Sequence, residues 1–163
     1  MRQRRPWRRS VVVGSLAVLA AAGCASTESM EMKKMSADDA IAARQKLMKE
    51  QGAAMRAIQE KIKAGQIQAV APEAEKLAQT ADQITPLFPP GSLSAQTSRA
   101  KPDIWQKWPQ FEGYAKALDT KALQLAATAR GGNAQATAAA ATDLGKTTCG
   151  ACHNTFRGPE IKK

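Results

Sequence analysis

Cys149-Gly150-Ala151-Cys152-His153, close to the C-terminus of a 163-residue chain, is the stretch from which the fold is read. Two thiols three residues apart, with a histidine directly after the second, match the attachment pattern of a c-type haem: both sulfurs add to porphyrin vinyl groups and the imidazole takes the iron. On a helix, Cys149 and Cys152 are an i, i+3 pair and His153 is i+4 from Cys149, so the three side chains share one face. One helix can then present two thioethers and one axial ligand to one side of a flat macrocycle, and the rest of the chain has to wrap the other side. Other readings of the pair have less support. A thioredoxin-like disulfide pair follows a strand in a βαβ unit, and no such pattern is present. A zinc site needs two further Cys or His ligands, whereas the chain has one histidine and three cysteines in all.

The length suits one domain behind an export segment. Aromatic residues make up only 4% of the chain and alanine is abundant. A helical domain so poor in large side chains gains much of its core from an apolar cofactor. The formal charge of +10 suggests nucleic acid until it is located. Residues 1–23 hold five of the 24 basic residues and none of the 14 acidic ones, so the remainder carries 19 against 14. Two haem carboxylates would lower that +5 further. This is a mildly basic surface and no nucleic-acid footprint.

Residues 1–23 read as a signal peptide. Arg2, Arg4, Arg5, Arg8 and Arg9 form a positive start, and the apolar run Val11 to Ala22 is too short for an ordinary membrane span. The end, Ala21-Ala22-Gly23-Cys24, is similar to a bacterial lipoprotein processing site, with alanine where leucine is usual; Cys24 would become the lipidated N-terminus. Ordinary cleavage after the alanine run, leaving Cys24 a stray thiol, is the alternative. Residues 24–36 are polar and read as a tether. Met30, Met32 and Met35 within it form no convincing copper site, since no histidine reinforces them.

From residue 37 the pattern is all-α and predicts an antiparallel four-helix bundle over 37–163. Ser36-Ala37-Asp38-Asp39 supplies a cap and first-turn acids, and the first helix runs to about Ala64, stopped by Gly65. Ile41, Met48, Met55 and Ile62 recur every seven residues along it, with Leu47 and Ile58 widening the same stripe, the spacing of a bundle seam. A second helix falls within Gln66 to Phe88, and Ser92 to Lys101 is the longest loop. Pro102-Asp103-Ile104-Trp105 opens a short turn before a third helix from Gln110 to Arg130, with Trp105 and Phe111 as packing residues. Asn133 caps a fourth helix, Ala134 to about Phe156, which carries the attachment motif.

Three pieces of sequence now carry a family resemblance: Arg44-Gln45-Lys46-Leu47-Met48, Lys101-Pro102-Asp103-Ile104-Trp105, and the motif followed by Phe156-Arg157. Together they resemble the class II c-type cytochromes, the cytochrome c-prime family and its low-spin relatives, over about Ala37 to Arg157. The C-terminal position of the motif selects this class over class I. The resemblance implies a four-helix bundle with one covalent haem c, held by Cys149 and Cys152 with His153 on the iron. The family fills the distal position from the first helix, four residues after an arginine like Arg44, which lands on Met48. A thioether there gives a low-spin, six-coordinate centre suited to electron transfer; a Met48 that merely packs leaves an open iron. Arg44 would pair with a haem propionate or stand as a solvated helix-face arginine. Arg157, four residues after His153, matches a basic residue the family often places there.

The expected function is a monohaem electron carrier, facing the periplasm and tethered to a membrane through Cys24. It would serve redox partner proteins, with an acidic docking patch matching its own mild positive charge. The alternative is a five-coordinate haem protein that binds nitric oxide or carbon monoxide. A thiol oxidoreductase is a third class. No catalytic acid, base or substrate site is visible, so an enzyme is not expected. A homodimer is compatible with the resemblance.

Overall fold

The computed structural model describes residues 35–161. The signal segment 1–23, Cys24, Met30, Met32 and all but the last two residues of the tether lie outside the described residues, and with them the expectations of export and lipidation.

Six α-helical segments build four legs. The first leg is α1 (Ala37–Lys63). The Ser36 hydroxyl accepts from the Asp39 backbone N–H at 3.1 Å, and Asp38 and Asp39 complement the positive end of the helix. At the other end Gly65 takes φ +70°, which lets the Gln66 N–H reach the Lys61 carbonyl at 2.9 Å, a closure that a side chain at this position would strain. The second leg is α2 (Val70–Ala81), with single 3-10 turns at Ile67–Ala69 and Thr85–Leu87. Pro72 is tolerated because it lies in the first turn, where its missing N–H has no partner to lose. The third leg is α4 (Trp108–Arg130) behind the one-turn α3 (Asp103–Gln106). It begins two residues earlier than the sequence suggests, because Pro109 sits in its first turn and so starts the helix instead of breaking it.

The fourth leg is not the single α-helix expected over Ala134 to Phe156. It runs as α5 (Ala134–Leu144), one π-helical turn (Gly145–Gly150) and α6 (Ala151–Phe156). Asn133 caps it as expected, accepting from the Ala136 N–H at 2.9 Å. Among the described residues there is no strand, only one antiparallel bridge between Ala100 and Arg157. No described helix is long and apolar enough to cross a membrane.

The packing follows leg order: α2 lies most extensively against α4, α1 against α2, and α4 against α5. Ile67, Val70, Ala74, Leu77, Ala81 and Ile84, at helical spacing, form the buried face of the second leg. On α1 the buried face is Ala40, Ile41, Arg44, Leu47, Gln51, Ala54 and Ile58, so Ile41, Leu47 and Ile58 of the expected stripe are buried. Met48, Met55 and Ile62 are half-buried against the core. Two polar residues, Arg44 and Gln51, share the buried face with the apolar ones.

Much of the core is alanine and leucine, and the large rings are gathered in one place. Phe88, Trp105, Trp108, Phe111, Tyr114 and Phe156 form a single chain of ring contacts with centroids 4.8 to 6.5 Å apart, several edge-to-face. Leu125, fully buried on α4, belongs to the alanine-rich part. Leu125→Ala should therefore cost about 2–5 kcal/mol in urea unfolding, as expected where close helix packing prevents collapse onto the cavity.

Candidate functional site

A cleft of about 520 Å³ opens between the first and fourth legs, floored by the aromatic chain. One wall carries Thr148, Cys149, Cys152, His153, Phe156 and Arg157; α1 contributes Arg44, Gln45, Met48, Lys49, Gln51 and Gly52. Ile84, Phe88, Ile104, Phe111, Tyr114, Ala115 and Leu118 complete an apolar interior, and Ser98, Arg99 and Ala100 lie along the edge. All five residues singled out in the described part of the chain, Arg44, Met48, Cys149, Cys152 and His153, therefore line one cavity. Cys24 lies outside the described residues.

The π turn sets the motif wall. It inserts one residue into the helical ladder and so rotates everything after it. Thr148 points inward, fully buried, and donates to the Leu144 carbonyl at 2.6 Å, while Cys149 and Cys152 are half-buried along the cleft. Gly145 faces α1, where a Cβ would meet the Met55 methyl in ordinary contact at 3.6 Å.

The electrostatics of the motif suit ligation better than redox exchange between thiols. Burial, with Cys149 beside it, pushes the Cys152 thiol up to about 11, so it stays protonated at neutral pH. A thiol-exchange enzyme needs the opposite shift. Burial holds the His153 imidazole below its ordinary pKa, and the cations of Arg157 and Arg99 lower it further. A neutral imidazole is the form that binds a metal. Among the described residues no group of three or more His, Cys, Asp or Glu side chains converges, which leaves the zinc reading without ligands.

Arg44 is no solvated helix-face residue. It is 3% exposed, and its Nη1 and Nη2 donate to the Ser92 hydroxyl at 2.9 Å, the Ser92 carbonyl at 2.6 Å, the Ser98 hydroxyl at 2.7 Å and the Leu87 carbonyl at 3.3 Å. Its guanidinium also lies 4.6 Å from the centre of the Phe88 ring. Gln45 adds a bond from Nε2 to the Thr97 carbonyl at 2.6 Å. The long loop is thereby folded onto α1. Its far end clamps α6: Lys101 N–H donates to the Phe156 carbonyl at 3.0 Å, and Gly158 N–H to the Arg99 carbonyl at 2.7 Å.

Sequence reasoning did not find Gln51, Ser92, Ser98, Arg99 or Thr148 at this site. Gln51 could have been found, since Arg44, Leu47 and Gln51 follow the three-then-four spacing of one helix face. Ser92 and Ser98 could not, because their partner lies about fifty residues away.

Comparison with known proteins places the chain. The family model described as Cytochrome C' matches residues 39–157. No curated protein matches. Among solved structures, cytochrome c' from Thermochromatium tepidum is 30% identical, with TM-score 0.66, over 77% of this chain and 99% of that one. A cytochrome c' with an unusual ligand-controlled dimer dissociation is 26% identical, with TM-score 0.69, over 76% and 98%. The nitric oxide complex of a cytochrome c prime variant from Alcaligenes xylosoxidans shares the fold at 24% identity, with TM-score 0.66, over 76% and 98%.

Removing Arg44 should expose how much the loop depends on it. Arg44→Leu strands two serine hydroxyls and two carbonyls, and a loss of about 2–5 kcal/mol is expected in urea unfolding of the haem-loaded protein.

Proposed function

Because the chain belongs to the cytochrome c' family, whose members carry one covalently attached haem c, we propose that it binds a diatomic gas, nitric oxide or carbon monoxide, on the haem face lined by Met48. In this reading Cys149 and Cys152 form the thioethers and His153 is the proximal ligand. The site fits the group: the cleft is apolar, both thiols line it, and the half-buried imidazole makes no hydrogen bond among the described residues. Bound haem supplies an iron with two axial positions, of which His153 takes one.

The observation that carries the proposal is on α1, where Met48 and Gly52 both line the cleft one turn apart. The chain's only histidine belongs to the motif, so Met48 is the soft donor this wall offers. A thioether is a modest iron ligand on three rotatable bonds, able to swing aside. Gly52, one turn on, adds no side chain of its own to that wall. Solved proteins of this fold include a nitric oxide complex and a carbon monoxide complex.

A second reading, one-electron transfer to a partner protein, is favoured by the same side chain. Met48 held on the iron would give a low-spin centre with little rearrangement between oxidation states. The cleft lining includes Lys49, Arg99 and Arg157 and no carboxylate, which suits an acidic partner patch. The relative with ligand-controlled dimer dissociation supports a homodimer. We further propose that the protein is exported, faces the periplasm and is tethered through a lipidated Cys24; the Ala-Gly-Cys sequence supports this. No enzymatic turnover is assigned.

Spectra of the reduced protein decide between the two readings. Gas binding predicts ready formation of a carbon monoxide complex, and Met48→Ala should tighten it about tenfold, or 1.4 kcal/mol, by removing a competitor. A low-spin protein with a methionine-to-iron near-infrared band, unreactive toward carbon monoxide, would favour electron transfer instead. For the tether, Cys24→Ser should move the protein from the membrane to the soluble periplasmic fraction.

A further inference from the structure

We propose that Arg99 is the residue that salt-bridges a haem carboxylate at the mouth of the cleft, and that Arg44 serves to hold the loop that presents it. The inference rests on covalent haem attachment at Cys149 and Cys152. Four cations line the cleft, Arg44, Lys49, Arg99 and Arg157, and no Asp or Glu does. A haem brings two carboxylates into this uncompensated field. Arg44 has four of its five N–H groups directed into the loop and is almost wholly buried. Lys49 and Arg157 are exposed side chains with no side-chain hydrogen bond or ion pair among the described residues. Arg99 alone is both anchored and available.

Its Nε donates to the Gly158 carbonyl at 2.9 Å, just beyond the motif-bearing α6, and its own carbonyl accepts from Gly158 N–H. The Ala100 and Arg157 bridge adjoins this pair. The side chain is about one-third exposed, and Nη1 has only Glu160 nearby, 3.8 Å away and 90% exposed. Such a surface pair is weak. The guanidinium fork is therefore fixed at its root and open at its tip, the arrangement that binds a carboxylate with little ordering cost. The same placement accounts for the influence of Arg99 on His153.

The test compares haem-loaded wild type, Arg99→Gln and Arg99→Lys. The resonance Raman propionate bending band reads contact with the carboxylate, and the reduction midpoint reads the charge. Arg99→Gln should shift the band and favour the ferric state about tenfold, a midpoint lowered by about 59 mV for one electron. Arg99→Lys cannot remake the Nε bond to Gly158 but keeps a cation, so it should return both readouts toward wild type. An unshifted band in Arg99→Gln overturns the proposal even if the midpoint moves. A shifted band that lysine does not restore also overturns it, since loss of the Gly158 bond alone would then explain the change. Absence of haem bands from wild type would sink the attachment reading itself, a distinct result.

Discussion

A buried cation organises this molecule. Arg44 enters the core of a helix bundle with its charge intact, and burial disfavours that charge. The desolvation of an arginine is offset only where most of its donors find acceptors. Here the acceptors come from Leu87, Ser92 and Ser98, and the Phe88 ring covers one face. Those residues belong to the one long connection in the fold, so satisfying Arg44 and folding the loop are a single event. The loop in turn reaches α6 through residues 99–101. The cleft therefore depends on one side chain of α1 that no apolar pattern would place inside.

The motif wall has its own constraint. An unbroken α-helix from Asn133 would carry Thr148 and the cysteines at a different angle, because each residue added to a helix turns the following ones by about 100°. The π turn absorbs one residue at Gly145–Gly150 and leaves Thr148 inward with the two thiols beside the cleft. Such turns are uncommon and occur often at functional sites. Gly145 and Gly150 belong to it, and a Cβ on Gly150 would come within 3.3 Å of the Gly145 carbonyl. The glycine inside the attachment motif thus spares the π turn a close contact.

Much of the architecture was legible before any coordinates. The caps at Ser36 and Asn133 and the stop at Gly65 reflect local chemistry, which a sequence displays directly. The motif was legible because a covalent cofactor demands fixed spacing, and Met48 was marked out only through the family resemblance. What escaped was non-local or polar. The α1 face was incomplete without Arg44 and Gln51, which are buried but have the side chains of solvated residues. The π turn was invisible because no side chain in Lys146-Thr147-Thr148 forces it. Arg99 was unremarkable because its partners lie near Gly158, at the far end of the chain.

The distribution of rings explains why this alanine-rich bundle needs its cleft filled. All six aromatic residues of the described chain meet in one connected group, and Phe88, Phe111, Tyr114 and Phe156 from it line the cavity. Large rings supply most of the buried area available to a small domain, and here part of that area faces open volume. Elsewhere the buried faces of the helices are rich in alanine, and the large rings are concentrated around the cleft. A flat apolar ligand of porphyrin size restores contact to those rings on insertion, and anything that binds only the folded state adds its binding free energy to stability. The cations at the mouth fit the same logic, since an apolar disc bearing two carboxylates places its charge where Arg99, Arg157 and Lys49 stand. Cofactor, core and charge pattern are thus complementary parts of one packing problem, with α1 and the motif leg as its two sides.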